Sequence, residues 1–345
     1  MASIIEKIED HYRICDNLKN EAELNYYHED ASWTDLEKVK IFFFKNPYLD
    51  KETNIYDIYI KDSEERVGCI FPITAIESED VKSNYLKNYL FLAFKALIEK
   101  IDIVDASKVL VSEYYDDNLF ILVLHKETLE KLDSEFCINN YIFSFASYGF
   151  YYLDDLNKLE SFMVYKAYEI DYFDYSKKKL KIADSVYPII EKEQYIHSLF
   201  SELLRTDTNL LSRFILLYQV IELEIGKEQQ EKIKLALDDF NHNRIQVNDL
   251  KERIGEASKE KSNIQSLFDK YIIEKTIKDN FYSECTSLFN DVKFSYRDDW
   301  CSIFYSLRNN LVHSYSNYIA NKEALSRTIL AFEKVIINLI IKIHT

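Results

Sequence analysis

Glycine and proline are scarce in this chain of 345 residues, with four and three copies, against ordinary frequencies near 7% and 5%. The shortage excludes collagen-like and linker-rich architectures and argues against a Gly-rich phosphate cradle of the Rossmann or Walker kind. No apolar run approaches the roughly 18 residues of a membrane span. The N-terminus, MASIIEKIEDHYR, carries acids where a secretion signal would have a basic segment and an apolar core. A soluble, cytoplasmic protein without a membrane partner is expected. The five cysteines (Cys15, Cys69, Cys137, Cys285, Cys301) are scattered with no C-x-x-C pair, which argues against a zinc ribbon and a disulfide framework and reads as reduced thiols. His11 and Cys15 stand four apart, but no third ligand follows at a sensible spacing. No metal and no cofactor is expected.

What the chain does have is 47% hydrophobic and 30% charged residues, with 27 tyrosines and 22 phenylalanines. The length is enough for two domains, each with its own core. The net charge is −16, and it is unevenly placed. Residues 1–189 hold 22 Lys+Arg against 36 Asp+Glu, a net of −14, whereas residues 190–345 hold 21 against 23, a net of −2. A near-neutral C-terminal half can hold a local phosphate site, while an acidic partner domain would repel nucleic acid and gate access to it. Solubility accounts for the same acidity equally well.

The N-terminal half reads as an α+β domain. Helical stretches are expected over 1–25 and 80–101, and short β-rich runs at Val39–Phe44, Ile55–Ile60, Val67–Phe71, Leu119–Leu124, Tyr141–Phe145 and Met163–Tyr168. Tyr187-Pro188 marks the boundary, because proline disfavours helix in the residue before it. Beyond it the pattern is all-helical: 191–205, 208–225 stopped by Gly226, 227–241, a charged stretch over 247–275, 276–291, 298–316 and 322–343. In the last, Leu325, Ile329, Phe332, Ile336, Leu339 and Ile343 form the stripe of a core-facing helix.

The stretch that carries chemistry is DDWCSIFYSLRNNLVHSYSNY, residues 298–318. Trp300, Phe304, Leu307, Leu311, Tyr315 and Tyr318 recur at steps of three and four and make one core-facing side. At about 100° per residue, Arg308, Asn309, Val312 and His313 fall away from that stripe, with Cys301 and Tyr305 beside them. A cation, an amide and an imidazole thus share a partly apolar outward face, as a partner surface would. These are the groups needed to cleave a phosphodiester without metal. Histidine can take the proton of a ribose 2′-OH or protonate the leaving 5′-oxygen, and arginine can neutralise the charge gathering on phosphorus. The spacing alone is equally met by a helix with two ordinary surface polar residues.

RNNLVH, Arg308 to His313, resembles the R-N-x-x-x-H form of the motif of the HEPN superfamily, small all-helical domains in which a late motif helix is followed by one more packing helix. RFILLYQVIELEIG, Arg213 to Gly226, is similar to the long early helix of the Apea-like HEPN branch, which is associated with anti-phage defence. The resemblance covers roughly residues 190–345 and implies an HEPN-like helical bundle. It also implies a metal-independent endoribonuclease acting as a toxin-like effector, with Arg308 and His313 catalytic and Asn309 orienting the pair. The site would be composite, formed across a homodimer or a higher even oligomer, and would leave 2′,3′-cyclic phosphate ends on RNA. A phage trigger or an antitoxin protein would be a further partner, and the N-terminal domain a sensor or restraint. Other HEPN domains are catalytically silent dimerisation modules. Arg308, His313 and Tyr315 also match R-x4-H-x-Y of HEPN toxins silenced by AMPylation of the tyrosine, although Tyr315 lies on the core stripe.

Three further groups stand out, each with an ordinary structural reading. Glu222 or Glu224, on the early helix, can orient His313 or pair with Arg308, or be an ordinary exposed or capped glutamate. Asp298 and Asp299 suit the positive end of the motif helix. The basic run Lys177–Lys181 reads as a solvated turn near the domain boundary, with RNA contact as its functional alternative.

Overall fold

A computed structural model of the chain describes residues 36–46, 54–60, 62–78, 84–98, 118–154, 178–183, 193–204 and 209–344 except Asp298. It also describes Leu49, Tyr115 and Leu156, and the backbone of 4–8, 11–15 and 21–24. The chain divides into two units, Met1–Ser185 and Val186–Thr345. Met163–Tyr168 and Tyr187-Pro188 lie outside the described residues.

The first unit begins with strands β1 (Ile4–Ile8), β2 (His11–Cys15) and β3 (Glu21–Leu24), paired antiparallel in that order. Helix was the expectation here. Ile4, Ile5, Ile8, Tyr12, Ile14 and Cys15 suit either period, and pairing between neighbouring strands, which no local pattern reports, decides the matter. His11 and Cys15 stand at opposite ends of β2, about 13 Å apart at the rise of a strand.

A second, mixed sheet is built from β4 (Val39–Lys45), β5 (Tyr56–Ile60), β6 (Arg66–Pro72), β7 (Leu119–His125), β8 (Tyr151–Leu153) and β9 (Lys179–Ile182). Their order is β8-β4-β7-β6-β5-β9, antiparallel except for β5 with β9. The central β7, LFILVLH, is apolar on both faces because both are covered. Leu119, Ile121 and Val123 join a core with helix α1 (Asn84–Ile98), and Phe120, Leu122 and Leu124 join another with Phe44, Tyr56 and Phe145. Gly68 of β6 permits this close packing, since a Cβ there would meet the Val123 carbonyl oxygen at 2.1 Å. Tyr141–Phe145, expected as a strand, instead enters the short helix α3 (Ile142–Ala146), which follows α2 (Lys126–Leu132). Every residue of α3 is buried, Ser144 included, and so short a run, buried all round, carries no period to separate strand from helix.

The second unit is helical. Helix α4 (Gln194–Ser198) runs into a π turn at Leu199–Leu203. Helix α5 (Leu210–Asn241) starts at Asn209, whose side-chain oxygen accepts from the Leu211 and Ser212 amides. It does not stop at Gly226. The helix continues to Asn241, and a single glycine costs only about 1 kcal/mol inside a helix. Then follow α6 (Val247–Ala257), α7 (Glu260–Lys270), α8 (Lys275–Asp291), α9 (Trp300–Ser314) and α10 (Lys322–His344).

Helix α10 is the centre of this core. Leu325, Ile329, Phe332, Ile336 and Leu339 of the expected stripe are fully buried, as are Val335 and Ile340 beside it, while Ile343 is half-buried. Phe332 meets Phe214 of α5, Phe281 of α8 and Phe304 of α9 with ring centroids 4.9, 5.9 and 5.3 Å apart. Among the described residues no helix is long and apolar enough to cross a membrane.

Candidate functional site

Helix α9 begins embedded and ends exposed. The Asp299 carboxylate caps it by accepting from the Ser302 amide at 2.8 Å, and these bonds from Ser302 hold its carboxyl below the usual range. Cys301, Ser302, Ile303 and Phe304 are buried all round the first turn. Cys301 therefore does not belong to an outward face, and burial pushes its thiol up to about 11. In the second half only Leu307 and Leu311 stay buried; Val312 is 44% exposed and His313 is exposed.

Arg308 sits at the transition. Its guanidinium lies over the Tyr218 ring of α5, 5.9 Å from the centroid, and its Nε is 3.6 Å from Glu260 Oε1 in the first turn of α7. Nη1 donates to Asn309 Oδ1 at 3.1 Å. The same Glu260 oxygen accepts the Tyr218 hydroxyl at 2.9 Å, so one carboxylate joins three helices. Burial first, and then the Glu260 charge, push the Tyr218 phenol far above its ordinary value, which keeps it a neutral donor.

His313 makes no hydrogen bond or ion pair among the described residues. It stands on the same helix as Arg308, about 140° round and about 7.5 Å along the axis. Within one chain the two side chains therefore diverge.

No family model, curated protein or solved structure matches the chain.

Tyr315 opens a 3₁₀ turn (Tyr315–Asn317) directly after α9 and is half-buried. Tyr318 is the fully buried tyrosine of the stripe. Glu222 is exposed and hydrogen bonds neither Arg308 nor His313 among the described residues, although its charge helps to raise Tyr195 and Tyr218. Glu224 is buried and pairs with Lys227 at 2.6 Å. Asp298 and Lys177 lie outside the described residues; Lys178 is a bend residue just before β9, and Lys179–Lys181 lie in β9 rather than in a turn. There the Lys178 and Lys179 ammonium groups stand over the Tyr56 and Tyr59 rings at 5.2 and 5.3 Å.

The carboxylate beside Arg308 is thus Glu260, not Glu222 or Glu224. Sequence reasoning had no hold on Glu260, because nothing local links it to Arg308. Tyr218 was within reach, since it belongs to the α5 segment already singled out.

Proposed function

We propose that the helical unit is a metal-independent endoribonuclease of the HEPN type, a toxin-like effector in anti-phage defence that works as a homodimer or higher even oligomer. The observation that supports this reading best is the state of Arg308. Its guanidinium is braced on one side and one face, while Nη2 has no hydrogen-bond partner among the described residues, and an exposed histidine follows on the same helix. A phosphodiester oxygen pair suits that open edge of the fork.

In the proposed reaction His313 takes the proton of the ribose 2′-OH as the 2′-oxygen attacks phosphorus. The bond to the 5′-oxygen then breaks, and that oxygen leaves with a proton delivered by a second histidine that starts as imidazolium and ends as neutral imidazole. The products are a 2′,3′-cyclic phosphate and a 5′-OH, with no oxidant or metal required. Arg308 balances the charge on the phosphorane, and Asn309 holds Nη1. Arg308 and His313 diverge on one helix, so a second copy would bring its own imidazole to the same phosphate. The exposed Val312 between them fits such a seam. The acidic N-terminal unit would sense a phage trigger or restrain the nuclease.

The test is to incubate the purified full chain in EDTA with tRNA and total RNA, beside Arg308→Ala and His313→Ala, and to map the ends. Cleavage with cyclic-phosphate ends that both substitutions abolish is the expected result. Cleavage retained in both variants overturns the assignment. A dimer that cleaves nothing even with its trigger supplied would be a silent HEPN module instead.

A further inference from the structure

We infer that Glu260 is the positioning residue for Arg308, holding the guanidinium so that its terminal nitrogens are offered to a phosphate; this rests on reading Arg308 as the phosphate-binding cation. A free arginine side chain samples many rotamers, and ordering it costs conformational entropy. A site that meets that cost before substrate arrives turns over faster.

Three contacts divide the guanidinium between them. Glu260 Oε1 stands 3.6 Å from Nε, the Tyr218 ring covers one face at 5.9 Å, and Asn309 Oδ1 takes one proton of Nη1 at 3.1 Å. Neither terminal nitrogen hydrogen bonds to Glu260, and Nη2 has no hydrogen-bond partner among the described residues. A phosphate can therefore approach the Nη1–Nη2 edge without displacing the carboxylate.

Glu260 is itself fixed. Its Oε1 accepts the Tyr218 hydroxyl at 2.9 Å, and its place in the first turn of α7 sets the carboxylate near the positive end of that helix. The side chains of Arg308 and Glu260 are 24% and 32% exposed, dry enough for the charge to be felt and open enough for a ligand to reach the arginine. A carboxylate that merely masked Arg308 would have to be expelled by RNA, and removing it would raise activity. A positioning carboxylate has the opposite signature.

The experiment compares Glu260→Gln, Glu260→Asp and Tyr218→Phe with the unaltered full chain. Tyr218→Phe keeps the ring over which the guanidinium lies and frees only the carboxylate, so it guards against a Glu260 variant that folds poorly. Two readouts are taken. The first is solvent exchange of the Arg308 Nε proton in arginine-labelled protein, with the resonance identified through Arg308→Lys. The second is kcat and KM for RNA cleavage.

Expected are at least fivefold faster exchange and at least tenfold lower kcat in Glu260→Gln, with KM changed less than threefold. Glu260→Asp should return both readouts to within threefold of the unaltered chain, and Tyr218→Phe should fall between. An unchanged exchange rate, or cleavage equal to or above that of the unaltered chain in Glu260→Gln, overturns the inference. If Arg308→Ala and His313→Ala both leave cleavage intact, the nuclease reading fails on its own. The hold of Glu260 on Arg308 is then decided by the exchange rate alone.

Discussion

Arg213 and Glu333 form a buried ion pair that ties α5 to α10. Nε and Nη2 both donate to Glu333 Oε2, at 3.0 and 2.7 Å, and Nη1 donates to the Leu204 carbonyl at 2.6 Å. The side chains are 11% and 2% exposed. Arg213 lies in the first turn of α5, and its ion pair fastens that turn to α10. Removing Glu333 takes away the buried counter-charge that Nε and Nη2 share, so Glu333→Ala is expected to lose about 3–5 kcal/mol in urea unfolding. The double change Arg213→Met with Glu333→Leu should lose less than Glu333→Ala alone, since both charges then vanish together.

Gly226 lies inside α5 with open space where a Cβ would go; nothing stands within 4 Å. Gly226→Ala should raise the unfolding free energy by about 0.5–1 kcal/mol, because alanine loses less backbone freedom on folding. Denaturant midpoints of the two proteins measure this directly. A lower midpoint in the alanine variant would mean that the glycine serves a purpose other than helix continuity.

Lys334 of α10 is pulled down to about 8 by burial, which the neighbouring Glu333 charge only partly offsets. In the unfolded chain it keeps its proton up to about 10.4. Below pH 8 both states are charged and the folded state carries the burial cost. Between pH 8 and the unfolded value the unfolded chain binds more protons, so stability from this group rises with pH. Lys334→Met should therefore be more stable than the unaltered chain at pH 7, by up to about 3 kcal/mol. That advantage should shrink as the pH is raised from 8 towards 10. Paired unfolding curves at pH 7 and pH 9.5 check both the sign and the trend.

Val312 is 44% exposed on the open half of α9. A charge there should leave the fold of the single chain within about 0.5 kcal/mol, as surface changes do. On the proposed composite site, Val312→Asp should nonetheless convert the dimer to monomer in sedimentation velocity and remove RNA cleavage with it. Unaltered association together with unaltered cleavage would place the seam elsewhere on the unit.

Helical character in the C-terminal half was legible from residues alone, because helix periodicity is local. The stripe Leu325, Ile329, Phe332, Ile336 and Leu339 is written at steps of three and four, and all five are buried. Strands β4 to β7 were legible for a related reason, since runs such as LFILVLH are rich in residues that suit a covered sheet. The first 25 residues were not. Their spacing fits two periods, and only partners in neighbouring strands select one, as Ile5 with Ile14 and Tyr12 with Leu24 do.

The candidate site divides along the same line. Arg308, Asn309 and His313 share one helix, so their spacing was available to inspection, as was the place of Tyr218 on an early helix. That Arg308 is braced by Glu260 and Tyr218 depends on α5, α7 and α9 meeting at one oxygen atom. Sequence periodicity tells which side of a helix is apolar. Which charged groups meet across helices is set by the packing of the core beneath them, a relation between distant residues that tertiary structure alone decides.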